Sequence, residues 1–115
     1  MNDIESLKIY KEYMELIRYS YVVIDKVKNE YLKNSIMDVT IKGMENIIRA
    51  GKSYKYKLDY LNDLDANLKI LKVLVRITYK NKYLSKQNLN AWIRKITNIT
   101  NMLLGWMSYA QNNKK

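Results

Sequence analysis

Apolar residues recur along this chain at alternating steps of three and four, the mark of a helix that buries one stripe. Leu7, Tyr10, Met14, Ile17, Tyr21 and Ile24 keep that spacing in a first block, and Met37, Ile41, Met44 and Ile48 keep it in a second. Leu61, Leu64, Leu68, Leu71, Val75 and Thr78 form the third block, and Leu89, Trp92, Ile96, Ile99, Leu103 and Trp106 the fourth. Four such stripes predict four helices, near residues 3–27, 33–50, 57–80 and 85–110. Each turns its seam toward its neighbours at the shallow crossing angle of a bundle. The connections are short, so sequential helices run antiparallel. The expected fold is all-α: one domain over 1–115, an antiparallel up-down four-helix bundle.

Local signals place the helix ends. The polar stretch from Lys26 to Lys33 breaks the first stripe and predicts a turn. Gly51 follows the Ile47-Ile48 pair and suits a left-handed C-cap. Asn81-Lys82-Tyr83-Leu84 is a short break, and Ser85 suits the N-cap of the last helix. Gly105, beside Trp106, is expected to let helices approach closely. The tail from Gln111 to Lys115 is expected to fray.

The third helix carries more than one stripe. Ile70, Val73, Leu74 and Ile77 lie off its main seam. Either they widen the bundle core or they form a second buried face against another subunit; the oligomer interface is the favoured reading. On the other flank Lys69, Lys72 and Arg76 step by three and four, with Lys80 a turn further on, and form a cationic ridge.

Composition removes whole classes of chemistry. With 115 residues, 48% of them apolar, the chain can bury a core without staples. Proline is absent and glycine occurs three times, which argues against turn-rich β folds. Cysteine and histidine are also absent, which excludes disulfides, thiol nucleophiles, zinc fingers and Ser-His or Cys-His catalysis. No cationic start leads into an apolar run, and no window approaches the ~18 apolar residues of a membrane span. The expectation is a cytoplasmic protein with no membrane association.

Charge then points to a partner. The chain carries 21 basic and 11 acidic residues, a net charge of +10. Every acid lies at or before Asp65, where the bases also number 11, so the first 65 residues are neutral overall. The rest holds ten bases and no acid. A half-chain of one sign makes a directional field that attracts polyanions. The candidate nucleic-acid-binding residues are Lys69, Lys72, Arg76, Lys80, Arg94 and Lys95.

Other candidates carry less. Gly51-Lys52-Ser53 resembles the end of a phosphate-binding loop, but that loop needs a glycine where Asn46 stands, and a preceding strand. Glu12 with Glu15, and Asp59 with Asp63, are carboxylate pairs at helical spacing that read as solvated faces. Asp59 and Asp63 also suit a helix N-terminus. No metal or other cofactor is expected. Tyr54, Tyr56, Tyr60, Tyr79 and Tyr83 lie among cations, as base-stacking residues do. The plainer reading is that they fill bundle edges, ring buried and hydroxyl wet.

Several segments together resemble one family. Ala50-Gly51-Lys52-Ser53, the run from Leu64 to Arg76, Tyr83-Leu84-Ser85-Lys86-Gln87 and Met102-Leu103-Leu104-Gly105-Trp106 are similar to the accessory variability determinant (Avd) proteins of diversity-generating retroelements. They are similar also to the four-helix proteins encoded in ribosomal-RNA intervening sequences. The resemblance covers residues 35–108 well and residues 1–34 loosely. It implies a four-helix bundle that assembles as a basic homopentameric ring and binds nucleic acid and a reverse transcriptase. It also implies that the chain itself is not an enzyme. Arg76 matches the family's arginine in the leucine-rich third helix, and Lys72 stands where an arginine is common. Thr100 and Asn101 replace a glycine-arginine pair, Leu104 replaces a glycine, and the proline usual between the first two helices is missing.

The expected function is therefore a non-catalytic accessory protein that holds RNA or complementary DNA and docks a reverse transcriptase. One alternative is an intervening-sequence protein without that partner. Another is a protein-interaction module whose basic half meets an acidic protein or anionic lipid.

Overall fold

The structure, a computed structural model, describes residues 4–112, which form four helices: α1 (Ile4–Ile24), α2 (Glu30–Lys52), α3 (Lys57–Lys80) and α4 (Lys86–Asn112). Each helix packs against two others, α1 and α3 both lying against α2 and α4. The result is a rod of 49 × 22 × 19 Å. Among the described residues there is no strand, and no helix is long and apolar enough to cross a membrane.

The helix ends follow from capping. Asn29 caps α2 by accepting a hydrogen bond from the Leu32 amide at 2.9 Å, so α2 begins three residues earlier than residue 33. Ser85 caps α4 as expected, its hydroxyl accepting from the Asn88 amide at 3.1 Å. Gly51 does not end α2 in a left-handed conformation; it is buried within the helix, which closes at Ser53 with φ −104°. The left-handed residue is Lys82, with φ 66°. There the Lys82 amide donates to the Tyr79 carbonyl at 2.8 Å and the Tyr83 amide to that of Thr78 at 3.1 Å. That pair of bonds is a Schellman motif, which satisfies the last carbonyls of α3. Gln111 and Asn112 continue α4, and the rest of the tail expected to fray, residues 113–115, lies outside the described residues.

In α3 and α4 the expected stripes are the core. Leu61, Leu64, Leu68, Leu71, Val75 and Thr78 are buried, as are Trp92, Ile96, Ile99, Leu103 and Trp106, with Leu89 half-buried. In α1 and α2 the expected stripes are so only in part: Ile24 is buried, and Tyr10, Ile17, Met37 and Met44 pack partly against the core. Leu7, Met14 and Tyr21 are exposed, and so are Ile41 and Ile48. The core stripe of α1 is Ile9, Tyr13, Leu16, Ser20 and Val23; that of α2 is Ile36, Thr40, Gly43, Ile47 and Ala50. Both are displaced by one position from the more apolar stripe.

The reason lies in two long-range contacts. The indole N–H of Trp92 donates to Ser20 Oγ at 3.1 Å, and Ser20 in turn donates to the Leu16 carbonyl at 2.7 Å. The Tyr13 hydroxyl donates to the Thr40 carbonyl at 2.7 Å, over Gly43. A Cβ built on Gly43 would stand 1.9 Å from that hydroxyl oxygen, so only glycine admits the phenol. Gly105 has no such role, since an added Cβ there would meet nothing within 4 Å. Burial pushes the Tyr13 phenol up, well above its ordinary range.

Candidate nucleic-acid interface

The cationic ridge of α3 can be placed by helical geometry. Asn46 of α2 donates to Asn67 of α3 at 2.7 Å, which marks the flank of α3 facing α2. Arg76 lies nine positions beyond Asn67, about half a turn around the helix at roughly 100° per residue. The ridge therefore runs along the α4 side of α3. Lys69, Arg76 and Lys80 are exposed and Lys72 is half-buried. Lys69 donates to Asp65 at 2.6 Å, so part of its charge is answered locally.

Arg94 and Lys95 do not join that ridge. Lys95 lies over the Tyr19 ring of α1, 5.3 Å from its centroid, on the opposite side of α4. Tyr19 also meets Trp92 edge-on and donates to the Asn88 carbonyl at 3.3 Å, and its hydroxyl is raised above its ordinary pKa by burial. Arg94 is exposed, nine positions before buried Leu103 and hence about half a turn from the core. The six expected cations occupy three directions around the α3–α4 half.

Two further cations reinforce the ridge. Lys82, at the left-handed turn, and Lys86, opening α4, are both exposed and follow Lys80 around the α3–α4 connection. Their helical spacing shows nothing, because they sit at a chain reversal; only the Asn81–Ser85 break locates them. Across the molecule several charges are answered in place. Arg18 clasps Glu15 through Nε at 2.9 Å and Nη2 at 3.1 Å, which holds the Glu15 carboxyl below its usual range and the guanidinium above its own. Lys42 pairs with Asp38 at 3.1 Å.

The tyrosines divide. Tyr60, Tyr79 and Tyr83 pack their rings against the core. Tyr54 and Tyr56 are exposed in the α2–α3 connection, with Lys55 over the Tyr56 ring at 5.2 Å. Among the described residues no three acidic side chains stand close enough to hold a metal ion. Of the four apolar residues expected at an oligomer interface, Ile70, Val73 and Ile77 are exposed, while Leu74 packs partly against the core.

No curated protein matches the chain. A family model described as bAvd-like matches residues 7–110, taking in all of α2 and α3 and nearly all of α1 and α4. This four-helix chain, neutral in its first half and basic in its second, belongs to the bAvd-like family.

Proposed function

We propose that the protein is a non-catalytic accessory subunit of a diversity-generating retroelement. In this reading it holds RNA or complementary DNA through phosphate contacts and docks a reverse transcriptase during mutagenic complementary-DNA synthesis in the cytoplasm. Family membership over residues 7–110 carries this reading, joined to a second half without a single acid. The bundle is up-and-down, and copies assemble into a ring, which links several modest basic patches and raises avidity. Lysine and arginine neutralise phosphates and release counterions without reading bases. Lys72, Lys80, Lys82 and Lys86 form the principal contact surface, with Arg94 on the outer face of α4.

Fluorescence anisotropy of labelled structured RNA and matched DNA, titrated at several salt concentrations, tests the binding. Lys72→Glu with Lys80→Glu is expected to leave the helical circular-dichroism signal intact. It should also lower the slope of log affinity against log salt by about 2, one for each lost phosphate contact. An unchanged slope in the folded double mutant would remove the α3 ridge from the site. Pull-down with a retroelement reverse transcriptase tests the protein partner.

A further inference from the structure

The apolar stripes that lie outside the core on α1 and α2 adjoin one another. On α1, Tyr19 marks the side facing α4. Met14 and Tyr21 lie roughly 140–160° around the helix from Tyr19 at 100° per residue, toward the side where Tyr13 reaches Thr40 of α2. On α2, Asn46 marks the side facing α3. Ile41 and Ile48 lie the same roughly 140–160° from Asn46. The outer α1–α2 seam is thus one apolar strip, with Met14 46%, Tyr21 60%, Ile41 40% and Ile48 42% exposed. Its floor is Ile17 and Met44, which rest on the core.

A second apolar surface stands on α3. Ile77 is nine positions from buried Leu68, about half a turn away, so Ile70, Val73 and Ile77 point outward from the core. They are 50%, 53% and 40% exposed. Contiguous apolar patches of this kind on a soluble chain mark contacts with a partner.

The flanking charges identify that partner. Asp38 and Glu45, seven positions apart, border Ile41 and Ile48 on α2. Lys69 and Arg76, also seven apart, border Ile70 and Ile77 on α3. Seven positions are two helical turns, so a ridge laid along the strip brings both opposite-charge pairs into register at once. Among the described residues Glu45 and Arg76 form no ion pair. Asp38–Lys42 and Lys69–Asp65 are surface pairs of the kind that exchange partners at little cost.

We propose that the outer α1–α2 strip is the docking site for the α3 ridge of a second copy of this chain. This rests on the assembly reading above and deepens it by naming the two faces. Because the faces differ, the contact is head-to-tail: each chain offers a ridge to one neighbour and a strip to the other, and the series closes as a ring.

Analytical ultracentrifugation of the full chain tests this with apolar variants that leave the proposed phosphate-contacting cations in place. Ile41→Asp with Ile48→Asp destroys the strip, and Ile70→Asp with Val73→Asp destroys the ridge. Wild type should assemble, whereas each variant, folded by circular dichroism, should sediment as a single chain. A 1:1 mixture should form a heterodimer, because each variant retains the face the other lacks. Folded variants that still assemble like wild type, or a mixture that stays as single chains, would overturn the pairing while leaving assembly itself standing. A wild type that sediments as a single chain at every concentration would overturn both. Should an aspartate variant fail to fold, the surface reversal Asp38→Lys with Glu45→Lys is expected to dissociate the assembly. Adding Lys69→Glu with Arg76→Glu in the same chain should restore it, and failure to restore it would refute the proposed register.

Discussion

The α1–α2 half and the α3–α4 half of this bundle bury their helices by different means. In α3 and α4 the most apolar stripe faces the core, and the core is made of leucine, isoleucine, valine and two tryptophans, with Thr78 at its end. In α1 and α2 the expected apolar stripe lies at the edge of the core, with Leu7, Met14, Tyr21, Ile41 and Ile48 exposed, and the core stripe includes Ser20, Thr40 and Gly43. The second half supplies the large Trp92 and the first half the small polar Ser20 that receives its N–H. Within the first half, Gly43 makes the room that Tyr13 fills. A stripe can be less hydrophobic than its neighbour and still be the buried one, when it carries the hydrogen-bond partners and the space that the large side chains require.

The sharpest way to break this contrast is to truncate one residue from each stripe of α1. Leu16→Ala, in the core stripe, should lower unfolding stability by about 2–5 kcal/mol. Met14→Ala, two positions away on the outer stripe, should change it by no more than about 0.5 kcal/mol. Urea denaturation at concentrations low enough to hold single chains would measure both, and equal losses would refute the assigned register. Next in size is Gly43→Ala, which displaces the Tyr13 hydroxyl from the Thr40 carbonyl and should cost about 1–3 kcal/mol in the same assay.

A pH series sharpens the role of Tyr13. In the unfolded chain its phenol ionises near pH 10; in the folded chain burial raises that value, so the buried group keeps its proton longer. The folded state then binds more protons, and stability is intact below about pH 10 and falls as pH rises beyond it. Tyr13→Phe should remove that part of the alkaline loss, seen as a smaller fall in melting temperature between pH 8 and pH 11. The smallest effect belongs to the second half. Gly105→Ala meets no atom and restores a side chain within α4, so it should stabilise by about 0.5–1 kcal/mol in thermal unfolding.

The four helices were legible in the sequence because their spacing is regular and Ser85 marks the start of the last, whereas the Asn29 cap is hidden in a polar stretch and the expected start of α2 falls three residues late. The buried face was legible only where a single stripe dominates. Leu61 to Thr78 and Leu89 to Trp106 meet that condition. In α1 and α2 two apolar stripes compete, and the choice depends on Trp92 and Tyr13 finding Ser20 and Thr40, contacts that span 72 and 27 positions of chain. The two glycines show the same limit. A Cβ on Gly105, which sits beside a tryptophan in sequence, would meet nothing within 4 Å, while Gly43 has no such neighbour and lies directly against the Tyr13 hydroxyl. Of the candidate site, the α3 ridge was legible as a run of cations at helical spacing. Lys82 and Lys86 join it only because α3 ends in a Schellman turn.

The 49 Å length of the rod has its own consequence. A duplex rises about 3.4 Å per base pair, so one chain can accompany at most about 14 base pairs laid lengthwise beside it. Any longer protected segment on a bound nucleic acid therefore counts chains rather than contacts.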